Sequence, residues 1–357
     1  MKFFFPAFIL GAALNLFVFF PEAGLAIYPE FMSSIEDVEH IAPSVFIRDD
    51  SPAFLLKTSS VLIRLKKSGA IENTVPMTGL EGVSGNGQYY IRYAKVGSEI
   101  EFYSMRERFW KQKSREYPYL SYSGQLIFLL NGDQSAARVI NHNGNEIGVQ
   151  TLSGRVCSVI SFAERGDFGG AGFIDGSFKA VDPDGSLIAN SVVSSGGMVK
   201  SMAISDNGRF VAVHGGDIKG DHIEIFHTEK GRAYEHSLAH THISKTALHI
   251  SNDGRLAVLD KGTLIFFDKN ARLDFSVPID EKRDGHASIK ENDLAYAVGY
   301  TIKQGISRFL IITKKGKTIY KRDFPGESFL DVTVDGSLIF LRGSDSLYCY
   351  SLHGKAE

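Results

Sequence analysis

From about residue 40 to the C-terminus, short apolar runs alternate with short polar runs, and no long stretch has the period of an amphipathic helix. The clearest unit extends from Ala247 to Val277. It contains an apolar run, a polar turn ending at Gly254, a second apolar run, a third run that alternates, and a fourth run after another polar turn. This pattern predicts four antiparallel strands joined by tight turns.

The same unit recurs along the chain, and its first turn aligns in eight copies. The aligned positions are 51, 87, 124, 166, 208, 254, 293 and 336. Their spacing matches the length of one propeller blade, a four-stranded sheet that packs against the sheets on either side. We therefore predict an all-β fold, a β-propeller of eight four-stranded blades over residues 40–357. A two-layer sandwich would not repeat one unit eight times.

The last copy ends at Ser351–Glu357, which is too short for a complete fourth strand. We expect an N-terminal segment to supply that strand and close the ring, because closure protects the sheet edges. The alternative is a ring of seven blades, in which residues 70–75 supply the closing strand and residues 40–67 pack outside. The second strands, such as residues 256–259, are almost wholly apolar, which is typical of strands covered on both faces.

The N-terminus has the features of an export signal. After Met1 and Lys2 comes an apolar run over residues 3–20, and the small residues Gly24 and Ala26 suit a cleavage site after Ala26. Residues 1–26 are therefore a cleaved signal peptide or, alternatively, a retained membrane anchor. Both interpretations export the rest of the chain, and membrane contact is expected only through residues 3–20 if they are retained. Residues 27–39 are expected to be a linker with one short helix, because Ser33 begins a capping-box pattern.

Composition adds two constraints. The chain has 39 Lys and Arg against 41 Asp and Glu residues, and its formal net charge of -2 gives no reason to expect nucleic acid as a partner. The two cysteines, Cys157 and Cys349, have no metal-type spacing and fall in distant repeats. We expect them to be separate, mostly buried thiols.

Two repeat turns resemble those of a known superfamily. The segments 205–213 (SDNGRFVAV) and 251–258 (SNDGRLAV) are similar to the repeat core of WD40-like propellers of the bacterial TolB type. The resemblance covers most of residues 40–354, and it implies an exported protein that mainly binds other proteins. No repeat ends in Trp-Asp, and with one Trp in the chain the tryptophan-docked repeats of BamB-like propellers are absent.

Seven of the 11 histidines lie between residues 214 and 249. In a propeller, the loops between second and third strands and the connections between blades emerge at one face, so the loop 214–222 and the connection 238–243 should lie together there. Imidazole and carboxylate groups bind divalent transition metals, and imidazoles also titrate near neutral pH. The candidate metal or pH-sensitive residues are His214, Asp217, His222, His240 and His242. The alternative is that they are loop and outer-strand residues with ordinary hydrogen bonds.

A second candidate region, residues 105–115, holds five basic residues and the one Trp of the chain. Exposed Trp and Arg side chains are enriched in protein interfaces. The alternative is an outer strand whose charged face prevents pairing with other chains. The candidate partner-binding residues are Arg106, Arg108, Trp110, Lys111, Lys113 and Arg115.

Common enzyme signatures are absent, since the sequence has no P-loop, no GxSxG, no HExxH and no dinucleotide fingerprint followed by a helix. We therefore expect a non-enzymatic binding or scaffold protein of the bacterial cell envelope, with an envelope protein as its partner and no cofactor. The alternative is a propeller hydrolase or lyase with a metal or a His/Asp site on the face formed by residues 214–242. In that case a divalent transition metal is the expected cofactor.

Overall fold

A computed structural model of the chain shows eight antiparallel β-sheets arranged as the blades of a propeller. The structure describes residues 25–35, 54–58, 61–66, 70–77, 80–94, 97–104, 107–194, 196–243, 245–279, 286–303 and 305–354. Each sheet is formed by one repeat of the sequence, except that the last sheet also takes a strand from the N-terminus, and the blades are numbered 1 to 8 in chain order. The prediction of an all-β, eight-bladed propeller is confirmed.

The strands of blades 1 to 4 are β2 (Phe54–Lys57), β3 (Val61–Leu65), β4 (Ile71–Pro76), β5 (Leu80–Val83), β6 (Tyr89–Tyr93), β7 (Glu99–Ser104), β8 (Arg108–Lys113), β9 (Tyr117–Leu120), β10 (Leu126–Leu130), β11 (Ala136–Asn141), β12 (Glu146–Ser153), β13 (Cys157–Phe162), β14 (Gly169–Phe173), β15 (Ser177–Val181) and β16 (Leu187–Val192). Those of blades 5 to 8 are β17 (Met198–Ile204), β18 (Phe210–Gly216), β19 (Asp221–His227), β20 (Arg232–Ser237), β21 (Leu248–Ile250), β22 (Leu256–Asp260), β23 (Thr263–Phe267), β24 (Leu273–Pro278), β25 (Ala287–Glu291), β26 (Ala295–Lys303), β27 (Ile306–Thr313), β28 (Thr318–Pro325), β29 (Asp331–Asp335), β30 (Leu338–Arg342) and β31 (Ser346–His353). Before them comes β1 (Ala26–Ser34), and a short 3-10 turn (Thr228–Lys230) follows β19.

Blade 8 is completed by the N-terminal strand β1, which pairs antiparallel with the last strand, β31. The register places Ala26 opposite His353 and Ser34 opposite Ser346. The expectation that an N-terminal segment closes the ring is confirmed. The seven-bladed alternative is wrong, because β4 does not close the ring but pairs with β3 inside blade 1.

The expected linker over residues 27–39 is wrong in its first part, because residues 26–34 form β1. An incomplete last sheet leaves backbone donors and acceptors open at its edge, and an extended segment that pairs with them satisfies both partners. Ser33, the expected start of a helix, pairs with Leu347 as part of this strand. Residues 36–39 lie outside the described residues.

Two further predictions fall on residues that the structure does not describe. The signal peptide or anchor covers residues 1–26, of which only the last two are described. The first strand of blade 1 was expected before residue 51, and the described part of that blade has three strands. Among the described residues, no helix is both long and apolar enough to cross a membrane.

The recurring Ser and Gly of the repeat turns have a structural role. In blade 5 the Ser205 hydroxyl accepts a hydrogen bond from the Phe210 backbone N–H at 3.0 Å, and Gly208 has a φ of 68°. That region of backbone conformation favours glycine. The equivalent serines are Ser84, Ser121 and Ser251, and the equivalent glycines with positive φ are Gly87, Gly124, Gly254 and Gly336.

The hydrophobic core lies between neighbouring blades. The middle strands β10 and β22 are buried at every position, as their apolar sequences predict. Blades 5 and 6, for example, share one cluster in which Ile223 and Ile225 pack with Leu256. Glycines in β14 permit the close approach of blade 5, since a Cβ at Gly170 would lie 2.5 Å from the side chain of Met202.

The two cysteines are far apart in the ring. Cys157 begins β13 of blade 4, and Cys349 lies in β31 of blade 8. Both are free thiols, Cys349 buried and Cys157 half-buried, and burial raises the pKa of Cys157 to about 11. The prediction of separate thiols is confirmed.

Candidate functional site

One face of the ring carries the loops between second and third strands together with the connections between blades. We call it the upper face, and the opposite face, with the remaining turns, the lower face. On blades 5 and 6 the upper face is built from three segments: the turn 217–220, the connection 238–247 and the turn 261–262. Two buried aspartates, Asp221 and Asp260, join these segments.

Asp221, the first residue of β19, holds the connection between blades 5 and 6. Its Oδ1 accepts a hydrogen bond from Lys200 Nζ at 2.5 Å. Its Oδ2 accepts from His214 Nε2 at 2.8 Å and from the backbone N–H of His242 at 2.9 Å. Lys200 also donates to the carbonyl oxygen of His242 at 2.7 Å. His242 is therefore fixed through both its backbone groups.

Asp260, the last residue of β22, binds the same connection from the side of blade 6. Its Oδ1 lies 2.9 Å from His242 Nε2 and 3.1 Å from His240 Nδ1. Its Oδ2 accepts from the backbone N–H of Ala239 at 3.1 Å. The ring of His242 thus contacts Asp260 while its backbone contacts Asp221, so one residue links the two carboxylates.

The protonation states of this cluster follow from its contacts. Burial raises the pKa of Asp221, but the hydrogen bonds from Lys200, His242 and His214 outweigh burial and hold that pKa below its ordinary value. Burial also raises the pKa of Asp260, but the neighbouring His242 and His240 outweigh burial and hold that pKa below its ordinary value. Burial lowers the pKa of His214 to about 4 despite its hydrogen bond to Asp221, so this imidazole is neutral at pH 7.

The structure brings together three of the five predicted residues, namely His214, His240 and His242. Asp217 is exposed and accepts the backbone N–H of Lys219 within its own turn at 2.7 Å. His222 is buried with its Nε2 4.0 Å from Glu224, whose carboxylate accepts from Ser194 of blade 4. Alternate residues of a strand face opposite sides, so His222 lies on the other side of the sheet from Asp221.

Lys200, Asp221 and Asp260 were not among the candidate residues from the sequence, although Lys200 and Asp260 each carry a signal. Lys200 lies in a largely buried inner strand, and Asp260 ends an otherwise apolar middle strand. A charged residue in such a strand indicates a buried polar contact, because isolated buried charges are strongly unfavourable. Among the residues that the structure describes, no group of three or more His, Cys, Asp or Glu side chains is arranged to hold a metal ion.

Two isoleucines project from the segments that the aspartates hold. Ile218, in the turn 217–220, has a relative exposure of 96%, and Ile243, in the connection 238–247, has one of 103%. Single exposed apolar residues are common on protein surfaces, whereas exposed apolar residues grouped on neighbouring loops mark interaction sites.

The exposed apolar residues continue onto blade 4. Ile174 and Val192 lie at its upper face, and Met198 begins β17 at the upper face of blade 5; they are 39%, 58% and 37% exposed. The backbones of this connection and of blade 5 are in close contact, since a Cβ at Gly197 would lie 2.5 Å from the carbonyl oxygen of Gly216. We call the five exposed apolar residues of these loops the upper apolar surface: Ile174, Val192, Met198, Ile218 and Ile243.

The predicted region on blade 2 contains a packed Trp rather than a projecting one. Trp110 of the outer strand β8 is half-buried, stacks on Phe102 at 5.3 Å between ring centroids, and donates from Nε1 to the carbonyl oxygen of His142 in blade 3 at 2.7 Å. It therefore joins two blades.

The charged residues of this region lie around Trp110 on the outside of the ring. Arg108 and Lys111 each lie 3.3 Å from Glu101 of the neighbouring strand. Lys113 and Arg115 are exposed, and Arg106 lies outside the described residues. A partner-binding role for this region stays a prediction.

A second charged cluster, which the sequence analysis missed, lies where the inner strands reach the lower face. Glu164 of blade 4 accepts from His249 Nδ1 of blade 6 at 3.0 Å and from Lys290 Nζ of blade 7 at 2.8 Å. His249 Nε2 is 3.6 Å from Glu291. Burial lowers the pKa of His249, but the carboxylates of Glu164 and Glu291 outweigh burial and raise it to about 9.

This cluster crosses the central channel. Besides the contacts of Glu164, the guanidinium of Arg165 in blade 4 donates to the carbonyl oxygen of Val334 and lies 3.9 Å from Asp335, both in blade 8. A polar cavity of about 150 Å³ remains beside these residues. The signal that the sequence offered was the charged pair Glu164–Arg165 before Gly166, where the aligned turn of blade 5 has Asp206 and Asn207.

No protein-family model and no curated protein sequence matches this chain. Similar solved structures include BamB from Moraxella catarrhalis, with 13% identity, a TM-score of 0.54, and coverage of 87% of this chain and 99% of that one. The dihydro-heme d1 dehydrogenase NirN has 12% identity, a TM-score of 0.59 and coverage of 89% and 77%. A chain of the mitotic checkpoint complex has 11% identity, a TM-score of 0.51 and coverage of 87% and 96%.

At these identities the similarity shows the fold alone. The chain is an eight-bladed β-propeller, and its fold is similar to that of these solved structures.

Proposed function

We propose that the chain is an exported, non-enzymatic β-propeller of the bacterial cell envelope that holds another protein on its upper face. The observation that carries the proposal is the exposure of Ile218 and Ile243, at 96% and 103%, on neighbouring segments. A partner that covers these side chains removes their apolar surface from water. That transfer favours binding by roughly 1.5 to 3 kcal/mol for each side chain that becomes fully buried.

The buried aspartates support this role because they hold the two isoleucines in place before a partner binds. Asp221 fixes the start of β19 beside Ile218, and it also fixes His242 beside Ile243. Ordering a loop on binding costs free energy, and a loop that is already held avoids most of that cost. A small apolar surface on rigid segments therefore binds better than the same surface on mobile ones.

The comparisons support a binding role only in general terms. One similar propeller is a chain of an assembly, the mitotic checkpoint complex. Another, NirN, is a dihydro-heme d1 dehydrogenase, so the fold is compatible with chemistry as well. The resemblance of the repeat turns to TolB-type propellers adds an expectation of export and protein binding.

Export is proposed from the apolar run over residues 3–20. Ala26 pairs with His353 at the end of β31, a third strand, and third strands end at the lower face. Ala26, the first residue of β1, therefore lies at the lower face, on the opposite side of the ring from the upper apolar surface. If residues 3–20 are retained as a membrane anchor, we expect the upper apolar surface to stay accessible to a partner.

The test is affinity isolation of the exported protein from its native envelope, followed by identification and quantification of partners. We compare the wild type with Ile218→Asp/Ile243→Asp and with a matched pair on the lower face, Leu187→Asp/Leu273→Asp, whose residues are 45% and 58% exposed. We expect the wild type and the lower-face pair to retain the same partner and the upper-face pair to lose it. Equal recovery by all three proteins would contradict the assignment of the face, and recovery of no partner would contradict the binding role.

A hydrolase or lyase is the second candidate function, and His240 is the residue that favours it. Its Nδ1 binds the buried Asp260 at 3.1 Å while its side chain is 47% exposed. An imidazole held by a carboxylate and open to solvent is an arrangement that general bases use. Metal analysis of the purified protein and of His240→Ala/His242→Ala tests the metal-dependent form. A metal that is stoichiometric in the wild type and lost in the variant supports it, and absence of metal or unchanged content rejects it.

A further inference from the structure

The exposed charges around the upper apolar surface are mostly positive. On the described upper-face loops between residues 154 and 262, the exposed cations are Arg155, Lys219, Lys245 and Lys261, and the exposed acids are Asp175 and Asp217. Lys219 directly follows Ile218, and Lys245 comes two residues after Ile243. Each fully exposed isoleucine therefore has a lysine beside it.

The two acids are engaged within their own turns. Asp175 Oδ1 accepts from the backbone N–H of Ser177 at 3.0 Å and from its hydroxyl at 2.6 Å. Asp217 Oδ1 accepts from the backbone N–H of Lys219 at 2.7 Å. Hydrogen bonds of this kind stabilise turns and draw the carboxylates toward the backbone. The charge presented to a partner at this surface is consequently positive.

We infer that the upper face binds a partner segment in which apolar side chains alternate with carboxylates. This inference rests on the proposed function and names the chemistry of the partner. The apolar side chains would cover Ile218 and Ile243, and carboxylates one or two residues away would reach Lys219 and Lys245. Complementary charge of this kind raises the association rate and discriminates among partners more than it adds to affinity.

A protein segment fits this surface better than an anionic membrane does. Binding to anionic lipid headgroups depends mainly on the number of basic residues. Here four cations are spread over three blades, and the two most exposed large apolar residues, Ile218 and Ile243, lie on loops held by buried aspartates. Apolar side chains in fixed positions with lysines beside them are complementary to a peptide whose apolar and acidic residues have a fixed order.

The experiment uses a displayed library of random peptides, selected on the purified exported protein. The variant Lys219→Glu/Lys245→Glu/Lys261→Glu reverses the upper lysines. Its matched control, Lys230→Glu/Lys269→Glu/Lys317→Glu, reverses three exposed lysines at the lower-face turns of blades 5 to 7. We expect enriched peptides to combine Leu, Ile or Phe with Asp or Glu. We also expect about tenfold weaker binding to the upper variant at low salt, with unchanged binding to the control.

The outcomes separate this inference from the proposed function. Peptides that require Ile218 and Ile243 but carry no excess of acids, or that bind both lysine variants equally, overturn the inference and leave protein docking intact. Peptides that are unaffected by Ile218→Asp/Ile243→Asp overturn both. Failure to enrich any peptide also counts against the inference, and so does binding of the wild type to vesicles of anionic phospholipid that the upper lysine variant abolishes.

Discussion

The carboxylate of Asp221 in blade 5 accepts the backbone N–H of His242, in the connection to blade 6, at 2.9 Å. Both residues are buried, and the same carboxylate also binds Lys200. A backbone donor that pairs with a side chain of another element fixes the path of the connection, because an unpaired buried N–H is strongly unfavourable. The contact therefore holds the connection that carries Ile243 against blade 5.

Asp221→Asn removes the negative charge and retains the size of the side chain. Lys200 then remains buried without its counter-charge, so we expect the free energy of unfolding to fall by about 3 kcal/mol. Urea denaturation of the purified protein measures it. Asp217→Asn, in the exposed turn nearby, is the control and should change the free energy of unfolding by less than about 0.5 kcal/mol. Equal stability of the two variants would contradict the role given to Asp221.

His249 should make the fold sensitive to alkaline pH. Its folded pKa of about 9 lies above the ordinary value of 6.5, so its stabilising contribution is complete below pH 6.5 and is lost as pH rises through 9. We therefore expect the wild type to be more stable than His249→Gln at pH 6 and the difference to shrink by pH 10. Thermal unfolding as a function of pH measures it. Glu164→Gln should move the loss of stability to lower pH, and a constant difference across the range would refute the assignment.

Two neighbouring residues of β1 should differ sharply in their contribution to ring closure. Phe31 is half-buried and packs near Phe340, with 6.4 Å between ring centroids, whereas Met32 faces solvent and is 66% exposed. Because Phe31 contacts the core of blades 1 and 8 and Met32 does not, we expect Phe31→Ala to lower the free energy of unfolding by about 2 kcal/mol. Met32→Ala should change it by less than about 0.5 kcal/mol. If both substitutions cost the same in denaturation, β1 does not close the ring through its packed face.

Trp110→Ala should affect stability rather than partner binding. The substitution removes the stacking on Phe102 and the hydrogen bond to the carbonyl oxygen of His142, so we expect a loss of about 3 kcal/mol. Trp110→Phe should recover part of that loss. Affinity isolation with the alanine variant at low temperature should still recover the partner of the wild type. Loss of the partner without loss of stability would instead support the predicted binding role of the blade 2 region.

Much of the fold was predictable because the repeat is local. Ser205 and Gly208 interact within one turn, and the buried runs of the second strands are read directly from apolar residues. The position of β1 was less accessible to sequence reasoning. Ser33 and Glu36 have the spacing of a helix start, and only the open edge of blade 8, contributed from the other end of the chain, makes a strand more favourable there.

The candidate functional site, like the fold, was only partly predictable from the sequence. The sequence identified a region rich in histidine and the face on which it lies, because loop positions follow from the repeat. It could not show that Asp221, Asp260 and Lys200 hold these histidines, since the contacts join two blades and the connection between them and form only when the chain is folded.

The sequence by itself therefore determined the eight repeats, the all-β class and the shared face of the loops 214–222 and 238–243, because each depends on short-range patterns of apolar and turn residues. The tertiary structure alone decided which strand closes the ring and which histidines share carboxylates. It also decided that Trp110 packs between blades while Ile218 and Ile243 remain in solvent. These outcomes depend on contacts between residues far apart in the chain, and burial is set by the neighbouring blade rather than by the residue itself.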